Sequence, residues 1–247
     1  MADYKSLNLT EQPFIDESIS RFQFGEYSPP TGTNINDTVP IKINIEMTDS
    51  FFLPSKAYLQ VEGRLQAASG AFYAKTDVVT LTHNGIMDLF DRMAYDLSGQ
   101  NIETVNNLGQ ATTMLGMLNY LNDFQIAKGL NQLWYKDTVT DANLTTNVGF
   151  TVRKSYIIQK PTTRDTFSFI IPLKHIFGFC DDYTKVLYGF KHTSTLQRKN
   201  DNDAILRSTA AAIGKKNITK VSLWMPYITP SDTERLNLDT IIREKIQ

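Results

Sequence analysis

Three histidines, one cysteine and two close aspartate pairs are the side chains in this sequence whose chemistry suits catalysis or metal binding. His83, His175 and His192 lie in three separate segments, with no H-x-H, H-E-x-x-H or C-x-x-C spacing. A metal triad would have to be assembled across the fold, and lone histidines usually serve packing. Cys180 follows His175 by five residues, the outline of a cysteine–histidine nucleophile pair. Its neighbours Asp181 and Asp182 would raise the thiol pKa, the wrong direction for a nucleophile. Cys180 therefore reads as a small buried residue at the end of a helical turn. Asp88 with Asp91, and Asp181 with Asp182, are the close carboxylate pairs in apolar settings. Glycosidase carboxylates come from separate strands, so both pairs read as turn or helix caps. Gly214-Lys215-Lys216 lacks the upstream glycine and following hydroxyl of a phosphate-binding loop. No catalytic, cofactor-binding or metal-ligating residue is assigned, and no cofactor is implied.

One charge asymmetry stands out. Between Tyr183 and Lys220 the basic residues are Lys185, Lys191, Arg198, Lys199, Arg207, Lys215, Lys216 and Lys220. Only Asp201 and Asp203 oppose them, a local excess of six. Such a run can face nucleic acid or an acidic patch on a neighbouring subunit, and more commonly is a solvated strand face.

The elements that would position these residues are mostly strands. Residues 1–40 carry few periodic apolar positions and end in a turn-rich stretch with Pro29, Pro30, Gly32 and Asn34, which predicts an arm outside the folded core. Ile41, Ile43, Ile45 and Met47 then alternate with polar residues, as do Leu59, Val61 and Leu65, with Gly63 as a bulge candidate. Val79 and Leu81 give a short strand before the Asn84-Gly85 turn. A hairpin around Ser98-Gly99 follows. Met114, Leu115, Leu118 and Leu121 recur at helical spacing within residues 109–126. Residues 66–76 and 136–150 read as exposed loops. Residues 152–158, Phe167 to Ile171, a long strand from Val186 toward Leu196, and Val221 to Met225 before Pro226 complete the strands. The inward set is Ile41, Ile43, Ile45, Leu59, Val61, Phe167, Phe169, Tyr188, Val221 and Leu223.

The chain closes with Ser231-x-x-Glu234, a capping box, and a stripe of Leu238, Ile241, Ile242 and Ile246. Those four predict an amphipathic helix whose stripe is buried against the sandwich or against another copy. The fold class is all-β: a jelly-roll β-sandwich of about eight strands, with two short helical insertions and a C-terminal amphipathic helix. Residues 1–40 form the arm, 41–228 the jelly roll and 229–247 the exit helix.

Length and composition agree with one large domain. The chain has 247 residues, 41% of them hydrophobic and 11% aromatic, with a formal charge of −1. That balance argues against a dedicated nucleic-acid binder and permits packing of like copies. One cysteine excludes an intramolecular disulfide, and a soluble chain from a reducing compartment is expected. The opening MADYKSLNLTEQPF has no apolar core, so no signal peptide is expected, and no stretch reaches the length of a membrane span. The sequons at Asn8, Asn36, Asn143 and Asn217 are accordingly taken as inert.

Several blocks resemble the hexon-like double jelly-roll major capsid proteins of adintovirus-like and Polinton-like elements. They are residues 167–183 (FSFIIPLKHIFGFCDDY) and 185–192 (KVLYGFKH), with 52–55 (FLPS) leading into 58–63 (YLQVEG). Residues 84–91 (NGIMDLFD), 95–99 (YDLSG), 224–227 (WMPY) and 234–236 (ERL) agree as well. The likeness spans roughly residues 40–245. It implies a viral or endogenised-viral capsid subunit, two jelly rolls per chain and three chains per capsomer. Neighbouring capsomers and penton or minor capsid proteins are the implied partners. The implied location is the virion, with synthesis in the host cytoplasm and assembly there or in the nucleus. The chain has about half the length the resemblance implies, so a second jelly roll is expected to be missing or dispensed with. A lectin-like jelly-roll binding module is the alternative, and a cupin-like metalloenzyme comes third.

Overall fold

A computed structural model describes residues 18–138, 144–160 and 165–246. Its strands are β1 (Ile19–Tyr27), β2 (Ile41–Ile45), β3 (Phe51–Phe52), β4 (Tyr58–Ala67), β5 (Val79–Leu81) and β6 (Phe90–Leu97), then β7 (Gln100–Asn106), β8 (Thr166–Pro172), β9 (His192–Arg198), β10 (Ile205–Arg207) and β11 (Gly214–Pro230). One sheet runs β1-β11-β4-β8 with β3 added to β11, and the facing sheet runs β2-β9-β6-β7. Leaving out the short β3, β5 and β10, the first strand pairs with the eighth, the second with the seventh, the third with the sixth and the fourth with the fifth. That is one long antiparallel hairpin rolled into two four-stranded sheets, a jelly roll. β5 and β10 pair separately.

Alternation builds the core, because successive strand side chains point to opposite faces. Ile41, Ile43 and Ile45 are buried while Lys42 and Asn44 are exposed. Val61 stands opposite Val221 on one side and Phe169 on the other, and Leu59 is likewise flanked by Leu223 and Ile171. In the facing sheet Ile41, Leu196 and Met93 form a corresponding row. Gly63 lets β4 and β8 approach: a Cβ there would lie 2.6 Å from the Asn217 carbonyl and from the Phe167 ring. The register shift near it falls on β11, between Ile218 and Lys220. Phe169→Ala should cost about 3–5 kcal/mol, since the ring is buried and stacks on Phe167. Equilibrium urea unfolding measures it, and a loss below 1 kcal/mol would contradict the packing.

Four expectations are corrected. Residues 19–27 are not an arm: β1 pairs with β11 from Ile19↔Pro230 to Tyr27↔Leu223 and forms an edge of the sheet. None of its side chains is fully buried, so it shows no clear alternation. Residues 148–157 form a helix instead of the expected strand. The Asn147 side chain accepts from Phe150 N at 3.1 Å, and Phe150, Arg153, Lys154 and Ile157 are buried at helical spacing. Gly189, at φ +84°, interrupts the strand expected from Val186, so Leu187 turns inward and Tyr188 lies outside, stacked on Phe51. β11 runs through Pro226 to Pro230.

The helices are more numerous than expected: α1 (Leu108–Asn119), α2 (Phe124–Ala127), α3 (Val148–Ile157), α4 (Gly178–Asp182), α5 (Asp201–Ala204) and α6 (Asp232–Ile246). On α6, Leu238 is half-buried and Ile241 exposed, so a single chain covers the stripe only in part. The side chains of Ile242 and Ile246 lie outside the described residues.

Candidate functional site

All three histidines lie against aromatic rings, and no group of three metal-ligating side chains converges among the described residues. His192, on β9, is buried with Nδ1 2.6 Å from the Tyr95 hydroxyl. Its ring meets the edge of Phe52, and burial pushes its pKa down to about 4. His175 and His83 flank one aromatic cluster built from Tyr120, Phe124 and Trp134. His175 Nδ1 lies 3.2 Å from Gln132 Oε1, whose amide also donates to the Tyr120 hydroxyl. Burial, then Lys174, holds His175 at about 4, and burial also lowers His83. Cys180 is buried in α4, its thiol pushed up to about 12 chiefly by burial and then by Glu103. Glu103 accepts from the amides of Gly178 and Phe179, which fixes the start of that short helix. Asp181 and Asp182 are exposed and Asp91 is half-buried. Asp88 accepts from Thr82 and pairs with Lys199 at 3.2 Å.

The basic stretch does not make an open basic patch. Lys216 is fully buried and donates to the carbonyls of Lys199 and Asn200, with burial lowering its pKa to about 8. Arg198 reaches Asn36, Asp201 and the Lys216 carbonyl, and Arg207 reaches the Ser208 and Ala211 carbonyls. Lys191 pairs with Glu46 and Lys220 with Glu26. Lys185 and Lys215 are exposed, with no such partner among the described residues. The sequon residues Asn36 and Asn217 bond each other at 2.9 Å, and Asn36 also bonds Ile218. Asn8 and Asn143 lie outside the described residues.

The surface that stands out is the helical insert between β7 and β8. Its first helix was legible from the spacing of Met114, Leu115, Leu118 and Leu121, and those side chains turn away from the sandwich. α1 rests on the sandwich through small residues. A Cβ on Gly109 would fall 1.8 Å from Asp88 Oδ1, and one on Gly116 would fall 2.4 Å from the Trp134 ring. Between them Thr112 is buried and accepts from Asn84 Nδ2 at 2.9 Å. Positions 109, 112 and 116 share one helix face, so these contacts fix the rotation of the helix. Met114, Leu115, Met117, Leu118 and Leu121 are consequently 53–83% exposed. Ile126 on α2 and Val148 on α3 extend this surface. Leu121, Ile126, Val148 and Val152 also line a groove of about 640 Å³ floored by Trp134 and Tyr156. No charged residue occurs between Glu103 and Asp123. The small-residue spacing was the available signal for this orientation, and the hydrophobic period alone did not reveal it.

Residues 79–246 match the family model of the double jelly roll-like domain. No curated protein sequence matches the chain. Among solved structures, the Faustovirus major capsid protein is 11% identical with a TM-score of 0.57, over 95% of this chain and 58% of that one. A chain in the structure of the Sputnik virophage is 11% identical with a TM-score of 0.58, over 94% of this chain and 53% of that one. At this identity the likeness is one of fold. This chain spans a little over half the length of these structures.

Proposed function

This chain belongs to the double jelly roll-like domain family, and from that membership we propose that it is a structural subunit of a viral capsid shell. The observation that carries the reading is the fold likeness to a viral major capsid protein over nearly the whole of this chain. Two facing antiparallel sheets suit a rigid wall, which supports this reading. The role is structural, not catalytic. It consists of self-association into trimeric capsomers that meet neighbouring capsomers and penton or minor capsid proteins in the virion. Synthesis in the host cytoplasm, with assembly there or in the nucleus, belongs to the same reading.

Light scattering and negative-stain microscopy of the purified chain test it. Concentration-dependent particles of three copies, or multiples of three, are expected. A chain that stays monomeric at every concentration and salt condition would overturn the assembly role.

A further inference from the structure

We propose that the exposed face of α1 and α2 is the surface through which one copy of this chain docks onto a second copy. The proposal rests on the capsid reading and adds the place of contact. Several observations carry it.

First, α1 is not merely amphipathic and loosely applied. The close contacts of Gly109 on Asp88 and Gly116 on Trp134, with Thr112 bonded to Asn84, leave no room for the helix to roll its large side chains inward. The apolar face is therefore locked outward by the packing of the opposite face.

Second, the size suits a macromolecular partner. Met114, Leu115, Met117, Leu118, Leu121 and Ile126, with Val148, are each 53–83% exposed, seven large apolar side chains on neighbouring helices.

Third, the electrostatics suit a like copy. The run from Thr104 to Asn122 carries no charge, so the α1 part of the face meets a partner without burying ions, while exposed Asp123 and Lys128 flank α2 with one charge of each sign. The net charge of −1 puts no long-range barrier between copies. A polyanion or an acidic peptide would find no cation on this face of α1 to bind. Unbranched Met114 and Met117 can adapt to a partner surface that is not a mirror of their own.

The experiment compares the wild-type chain with L118E, with the double variant L118E/L121E, and with Ile241→Glu on α6 as a control. Sedimentation velocity gives mass, circular dichroism and thermal melting report the fold, and phosphatidylcholine vesicles probe lipid binding. Both positions on the insert are far more than half exposed, so the monomer fold is expected to keep its melting temperature. The expected result is a wild-type oligomer, a dissociation constant raised at least ~100-fold in L118E/L121E, and little change in Ile241→Glu. For a second readout, Leu118→Cys adds an exposed thiol to a chain whose native cysteine, Cys180, is buried. A polarity-sensitive dye on it should shift to the blue as concentration rises.

If the wild type oligomerises and L118E/L121E keeps the same mass, the face is not the contact, while the assembly reading stands. A wild type that is monomeric throughout removes both. Vesicle binding by the monomer that L118E/L121E abolishes would assign the face to lipid and overturn the second-copy occupant.

Discussion

Lowering the pH from 7 to about 4 is expected to remove about 3 kcal/mol of folding stability through His192 alone. The side chain is 1% exposed, one ring nitrogen bonds Tyr95, and Nε2 has no hydrogen-bond partner among the described residues. Phe52 occupies one side of the ring, and burial is the cause of its depressed pKa of about 4. In the unfolded chain the same imidazole takes up a proton near pH 6.5. Its folded pKa is lowered, so its contribution is fully present above pH 6.5 and is lost as the pH falls toward 4. Across that window the unfolded state binds up to one more proton than the folded state, which favours unfolding on acidification. His175 has the same sign, its pKa also lowered to about 4. Urea unfolding at pH 7 and pH 4.5 of wild type and His192→Gln checks this. The stability gap between the two proteins should shrink by ~2–3 kcal/mol at the lower pH. A gap independent of pH would show that His192 is hydrated or paired in the folded protein.

How much of this was legible in the sequence depends on whether one face of an element is buried. β2, β4 and β8 alternate cleanly because one face of each meets the core and the other meets solvent, so period 2 revealed them. β1 has no fully buried face, and its register on β11 comes from backbone pairing, which leaves no hydrophobic signature. α3 is rich in β-branched and aromatic residues, and residues 152–158 read as strand. The Asn147 cap and the buried i, i+3 and i+4 positions outweigh that propensity. For α1 the period identified a helix but could not say which side faced the sandwich. Glycine and threonine made the close contacts, while the hydrophobic scale pointed to Met and Leu. Charge is the hardest to read, because its partners come from distant segments. Asn36, Glu26, Glu46 and Asp88 are all remote in sequence from the basic residues they engage.

Arg198 shows the consequence, and its removal should be among the most damaging single changes. Its side chain is 9% exposed, and one guanidinium nitrogen donates to the Asn36 carbonyl at 2.7 Å and to Asn36 Oδ1 at 3.1 Å. The other reaches Asp201 at 2.8 Å and the Lys216 carbonyl. Asp201 in turn accepts from the Lys216 amide, so one planar fork joins the turn-rich segment before β2 to the end of β9, α5 and β11. Arg198→Ala takes a donor from two backbone carbonyls and from the Asp201 carboxylate, which keeps the Lys216 amide and is 33% exposed, so the cost is expected at about 2–3 kcal/mol. Lys191→Ala, which removes a pair between two well-exposed side chains, should cost at most about 1 kcal/mol. Arg198→Lys discriminates between the two uses of a basic residue. A lysine keeps the charge but cannot hold four acceptors from one planar group, so it should recover little of the loss. Chemical denaturation gives the three stabilities, and limited proteolysis should show residues 28–40 cut sooner in both Arg198 variants. If Arg198→Lys were as stable as wild type, charge and not geometry would be what this position supplies. The basic run would then regain its standing as a surface for polyanions. If the loss is as large as expected, the run is basic because distant segments need donors inside the fold.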